Sequence, residues 1–277
     1  MQNDLARMPG ISASWIERAA RGGYAAKALL YAIVGVLSLQ AAIGSGGKTT
    51  GTKGALREII DKPFGKVLLV MIALGLIGYA AWRVIEGLAD PDHKGSDAKG
   101  LALRATFVVR GIAHGLLAVQ ALRLASRRGG GGQDGAAAKE ASSRAMELPH
   151  GEWLVILAGL GVAGFGLYQL YRAVVAKLSK QLDFGSLRAE AGRWAIYVSR
   201  FGIAARGVVF AMIGLLLVTA GRHENASEAG GIGEALAALG DRANGRIILA
   251  VVSAGMVAYG AYEAIQSRYR RIDAATR

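Results

Sequence analysis

Few side chains in this sequence have both the type and the spacing to do chemistry. Gly44-Ser45-Gly46-Gly47-Lys48-Thr49 carries the letters of a phosphate loop. The glycine required five residues before Gly47 is Ala42, however, and the segment follows a helix-length apolar run rather than a strand. Gly159-Leu160-Gly161-Val162-Ala163-Gly164 spells the dinucleotide fingerprint, yet it lies inside another apolar run with no βαβ context. The 4 histidines are scattered without metal-ligand spacing, and the 0 cysteines leave no thiol ligand, disulfide or thiol nucleophile. No metal or other cofactor is expected. Ser and Asp fill the loops, but none has an assignable base and orienter. Asn225-Ala226-Ser227 matches a glycosylation acceptor by letter only and is expected to be unused.

One constellation remains. Lys27, Arg110 and Arg206 each fall within an apolar stretch at a matching position. A charge near the centre of a bilayer costs at least about 2.5 kcal/mol, so an ionisable group there marks a candidate site. Depth distinguishes the three. Beyond Lys27 the apolar run to Ile43 covers roughly 24 Å at 1.5 Å per residue, so Lys27 can lie at the rim and snorkel. Between Arg110 and Arg123 there is room for only roughly 18 Å, which places Arg110 within the span; Arg206 is intermediate. His114 follows Arg110 by one turn on the same helix face, where the other stretches have Tyr31 and Phe210. Rings beside cations suit cation–π packing. Two readings stay open: each cation anchors its helix and pairs with Glu86 or Glu263, or the three converge and bind an anion or lipid phosphate.

The elements that must position these residues are long apolar helices. The chain is 53% hydrophobic with mean hydropathy +0.34, and apolar runs lie at about Tyr24–Ile43, Val67–Trp82, Ala105–Leu122, Trp153–Tyr171, Phe201–Gly221 and Ile247–Tyr262. Each approaches the ~20 residues that cross a ~30 Å hydrocarbon layer. Period-two alternation is absent, which excludes a β-barrel reading. The net charge of +13 comes from cations that flank the runs, as topology signals and anionic-lipid contacts do, rather than from a soluble basic face for nucleic acid.

The runs repeat in pairs. Shifts of roughly 83 and 179 residues carry Arg21 onto Arg104 and Arg200, and Lys27 onto Arg110 and Arg206. In the second helix of each pair, Gly65 aligns with Gly151 and Gly245, Gly75 with Gly161 and Gly255, Gly78 with Gly164 and Ala258, and Tyr79 with Phe165 and Tyr259. We therefore expect an all-α membrane protein of six transmembrane helices. They form three tandem hairpin units (15–90, 98–180 and 194–271) with pseudo-threefold symmetry. Gly75, Gly78, Gly161, Gly164 and Gly255 should be close-packing positions. Short amphipathic stretches, Ala55–Ile60 and Glu234–Leu239, should lie at the membrane interface. The middle loop, with Gly129 to Gly132, should be flexible. The side bearing both tails carries 20 of the 33 Lys and Arg, against 13 on the other, with acids equally divided, so both termini should be cytoplasmic in a bacterial inner membrane.

This pattern resembles the bacterial family known as the domain of unknown function numbered 1206, in which a two-helix membrane unit occurs three times per chain. The resemblance runs from Trp15 to Arg271, resting on the Arg/Lys–Gly or Lys–Ala step of the odd helices and the Gly-rich, aromatic-ended even helices. The middle unit departs by its insertion between Arg123 and Pro149. The resemblance implies the fold and no particular activity. From the residues, the first expectation is a non-enzymatic protein that organises lipid or docks a partner, its cations gripping anionic headgroups. The alternative is a small transporter or channel for an anionic solute using Arg110, Arg206 and His114. An intramembrane enzyme is disfavoured because no acid–base pair lies in a span.

Overall fold

A computed structural model describes residues 13–90, 95–126, 135–175 and 189–270. Its helices are α1 (Ala13–Ala42), α2 (Thr52–Ile60), α3 (Gly65–Ala89), α4 (Ala98–Ala125), α5 (Ala136–Met146), α6 (Gly151–Val175), α7 (Ala189–Arg222), α8 (Ile232–Gly240) and α9 (Gly245–Tyr269). The six long helices α1, α3, α4, α6, α7 and α9 are long and apolar enough to cross a membrane. They outrun the apolar stretches read from the sequence because their charged ends are helical too. No strand occurs among the described residues. Large apolar side chains such as Met71, Leu74, Ile112, Leu116, Leu157 and Leu167 are exposed. An apolar surface this wide would be a liability in water and is the expected face toward lipid tails.

The long helices touch in the order α4, α3, α1, α9, α7, α6. Each even helix packs most extensively on the odd helix of the next unit: α3 on α4, α6 on α7, and α9 back on α1. Within a unit, α1 meets α3 and α7 meets α9, but α4 and α6 make no comparable contact. The result is an open ring whose break falls inside the middle unit.

The turn that starts each even helix shows why the repeat keeps a glycine there. Phe64, His150 and Asn244 precede α3, α6 and α9 in the same left-handed conformation, at φ 61°, 59° and 58°. The next residue, Gly65, Gly151 or Gly245, lies against the last carbonyls of α2, α5 or α8, where a Cβ would overlap backbone. Only glycine fits so close an approach.

The short helices differ in part from expectation. Ala55, Leu56 and Ile59 of α2 and Ala235, Leu236 and Leu239 of α8 are buried, so their apolar faces pack on the end of the bundle instead of entering lipid. Burial against apolar side chains removes them from water as lipid would, and adds close packing. Part of the middle insertion forms a third short helix, α5, which is polar and buries only Ser142. Gly129 to Gly132 lie outside the described residues. Gly233 of α8 sits against Thr50 and Gly51, and Glu234 against Gly135, so the three short helices meet as a cap over the end opposite the tails.

Candidate functional site: a basic and aromatic cluster in the bundle

An arginine near the start of two odd helices, α1 and α4, fastens one unit to the next. Arg21 donates from Nη1 to the carbonyls of Ser267 (2.8 Å) and Arg268 (2.7 Å) at the end of α9. Arg104 donates to Gly87 (2.9 Å) and Leu88 (2.8 Å) at the end of α3. The repeat carries Gly87 and Leu88 onto Ser267 and Arg268, so the two contacts are equivalent. Each guanidinium satisfies carbonyls that the helix leaves without partners and meets the negative end of its dipole. Ser267 Oγ also donates to Arg21 O at 2.9 Å, which closes α1 on α9.

One to two turns deeper lie the three cations read from the sequence, in three different surroundings. Lys27 is 4% exposed. Its Nζ lies 2.7 Å from Oε1 of the fully buried Glu263 and 3.3 Å from the Tyr79 hydroxyl. It also stands 4.4 Å from the Tyr79 ring centroid. The pairing expectation therefore describes Lys27. Arg83 is satisfied too: Nη1 donates to Glu86 at 2.5 Å, Nε to the Tyr79 hydroxyl at 2.9 Å, and Nη2 to the Tyr24 hydroxyl at 2.9 Å. Arg270 joins from the end of α9, contacting the Tyr24 hydroxyl and reaching Glu86 Oε1 at 3.4 Å.

Arg206 and Arg110 are different. The Arg206 guanidinium stands over Phe210 (4.5 Å) and Tyr259 (5.0 Å), and more distantly over Phe165 (5.8 Å) and Tyr31 (5.9 Å). Its Nε is buried without a hydrogen-bond acceptor. Arg110 lies 5.2 Å from the centroid of Phe165, the ring it shares with Arg206. Neither has a carboxylate partner among the described residues. The two carboxylates of the cluster, Glu86 and Glu263, are engaged by Arg83, Arg270 and Lys27, which leaves Arg110 and Arg206 without an ion pair among the described residues. Cation–π contacts return about 0.5–2 kcal/mol each, against about 2.5–3.5 kcal/mol for an arginine at mid-helix. Several rings offset Arg206; the single ring beside Arg110 does not.

His114 faces the first unit, its ring 4.7 Å from that of Tyr79. Nδ1 lies 2.7 Å from the Arg110 carbonyl, which only accepts, so Nδ1 carries the hydrogen and donates. Tyr31 and Tyr259 stack edge to face at 4.8 Å. Rings join these groups in two sets: Lys27 through Tyr79 to His114, and Arg206 through Phe165 to Arg110. Tyr24, Tyr79 and Arg270 were missed as hubs, although Tyr24 one turn before Lys27 was a readable signal.

The five glycines assigned to packing divide. Gly75 and Gly78 of α3 press on α1: a Cβ on either would lie 2.7 Å from a carbonyl, of Gly22 and Ala19 respectively. Gly255 of α9 lies against Ala205 of α7. Gly161 and Gly164 of α6, in contrast, have no heavy atom within 4 Å of their Cβ positions, so the expectation of close packing fails there. The facing helix differs from its counterparts in the other units. Gly23 and Gly202 let α1 and α7 lie against the backbone of Tyr79 and Tyr259, but the repeat places Thr106 at that position of α4. Likewise, Ala26 and Ala205 correspond to Val109, which is 64% exposed. Two β-branched side chains thus stand where the other units have the glycine and alanine of a close contact.

Comparison with known proteins agrees with this architecture. The curated protein named "Uncharacterized protein YxxB" from Bacillus subtilis (strain 168) is 29% identical over 258 residues, covering 93% of this chain and 92% of the relative. No solved structure matches. The model of the family described as Domain of Unknown Function (DUF1206) matches three times, over residues 22–90, 105–176 and 201–270. The chain, a multi-pass helical protein of membrane character built from three related helix pairs, belongs to that family.

Proposed function

We propose that this protein is a non-enzymatic lipid-binding component of a bacterial inner membrane that holds the phosphate of an anionic phospholipid between Arg110 and Arg206. The observation that carries this reading is the pair of guanidiniums flanking Phe165 with no carboxylate to neutralise them. A phosphate diester supplies the missing charge and accepts from the guanidinium forks. Rings, guanidiniums and three ion pairs bind and orient but, among the described residues, offer no nucleophile activated by a base. With both tails cytoplasmic, as the cation bias argues, the cluster lies toward the inner leaflet, where anionic lipids attract basic groups.

The other half of the bundle supports holding over passing. Val34, Leu69, Leu76, Val252 and Met256 are buried together there, beneath the cap of α2, α5 and α8. Transport of an anion needs a wet, polar route through that layer.

The test is native mass spectrometry of protein from liposomes containing equal phosphatidylglycerol and phosphatidylcholine. The wild type is expected to retain phosphatidylglycerol selectively, and an R110Q/R206Q protein to lose it. A parallel arm with inorganic phosphate separates a lipid site from a free-anion site. Retention that is equal in both proteins, or phosphate binding without lipid selectivity, rejects the reading. Anion flux through wild-type proteoliposomes, abolished by Arg110→Ala, would establish the transport alternative instead.

A further inference from the structure

The break in the ring falls in the unit that holds Arg110 and Phe165, the ring that Arg110 shares with Arg206 of the next unit, and together they carry a second conclusion, which rests on the lipid reading above. Arg110 on α4 reaches across the break to Phe165 on α6. Gly164 adjoins Phe165, and Gly161 lies one turn further from the tails. The Cβ positions of both open on space. The anion-seeking groups therefore stand at one end of an apolar seam that runs along the membrane normal.

The two other units act as internal controls for this seam. Gly23 and Gly202 bring their helix pairs into backbone contact, while the middle unit has Thr106 and Val109 at the matching positions and no such contact. Thr106 is held by its own helix, with Oγ1 donating to the Leu103 carbonyl at 2.6 Å, so its hydroxyl needs no partner across the seam. Within the hydrocarbon layer such a groove is filled by something apolar. Two polar atoms of the surrounding helices also stand without hydrogen-bond partners: Arg206 Nε on α7, and Oε1 of Gln169, a residue 3% exposed and one turn from Phe165 on α6.

We propose that the α4–α6 seam is a lateral entry and binding groove for one acyl chain of the anionic phospholipid whose phosphate lies at Arg110 and Arg206. Charge selects this occupant over a second copy of the chain. A symmetric dimer through the seam would bring two Arg110 side chains toward each other with no carboxylate to separate them. A phospholipid offers an anion at the basic end and an alkyl chain, narrow enough for the glycine-lined space, along the rest.

The test closes the seam without touching either arginine. Thr106→Gly with Val109→Ala restores the residues of the other two units. Gly161→Phe fills the groove from the opposite wall, where nothing lies within 4 Å. Wild type and both variants are reconstituted in the same mixed liposomes, extracted, checked for equal elution by size exclusion, and weighed by native mass spectrometry. Bound phosphatidylglycerol is expected to fall at least fivefold in both variants, while binding of water-soluble glycerol phosphate stays within twofold of wild type. Phosphatidylglycerol kept by both variants overturns the groove but leaves the headgroup reading standing. A wild type that retains no phosphatidylglycerol removes the headgroup reading itself, and the groove with it. A dimer mass that disappears in the variants assigns the seam to a second copy and likewise overturns the groove.

Discussion

Glu263→Gln tests the ion pair that joins α1 to α9. Glu263 is fully buried and Lys27 nearly so, with 2.7 Å between them. The substitution keeps the shape of the side chain and removes its charge. Lys27 is left with the Tyr79 hydroxyl at 3.3 Å and with rings it already faced, so nothing new compensates it. Breaking one side of a buried pair costs about 3–5 kcal/mol, whereas replacing both partners with uncharged groups of similar volume is often nearly neutral. For a chain of this size 1 kcal/mol moves the thermal transition by about 2–4 °C. Glu263→Gln should therefore lower it by roughly 6–20 °C, and Lys27→Met with Glu263→Gln by only a few degrees. Tryptophan fluorescence in detergent, heated at one fixed rate because such unfolding is commonly irreversible, measures both. If the single and double variants melt together, the pair is not what holds α1 to α9, and the energetic reasoning fails.

The seam makes two glycines diagnostic. Gly75→Ala places a Cβ 2.7 Å from the Gly22 carbonyl and should destabilise by about 1–3 kcal/mol; Gly161→Ala meets open space and should stabilise its helix by about 0.5–1 kcal/mol. The same melting assay reads both signs. Arg104→Ala strips the carbonyls of Gly87 and Leu88 of their donor and should cost about 1–3 kcal/mol, with hydrogen exchange accelerating at the end of α3 before the rest. The absence of cysteines makes topology easy to read: Ser96→Cys should resist an impermeant thiol reagent added outside spheroplasts, and Ser45→Cys should react, the reverse pattern placing the tails outside.

Most of the architecture was legible because hydrocarbon imposes a length and a repeat imposes a register. Hydrophobic runs located all six long helices, and the shifts that align Gly65 with Gly151 and Gly245 located the turns that start the even ones. Helix ends were drawn short because Arg21, Arg104 and Arg83 look like boundaries in a hydropathy reading, whereas the fold places them on carbonyls and rings inside the helical span. The candidate site was legible in composition but not in pairing. Lys27, Arg110 and Arg206 share a repeat position and meet different partners, because the facing positions Arg83, Gln169 and Glu263 differ in charge. Gly161 and Gly164 show what a stripe of small residues leaves undecided. Close packing needs both faces to be small, and the facing Thr106 and Val109, readable by the same shift that aligned Arg110, are not.

The most direct measurement is an experimental density map of the protein in nanodiscs containing phosphatidylglycerol. The account predicts a phosphate within hydrogen-bonding reach of both the Arg110 and Arg206 guanidiniums, with an acyl chain running past Gly164 and Gly161. A map in which α4 lies directly on α6, Val109 touches Gly161, and no phosphate stands between the two arginines would contradict it.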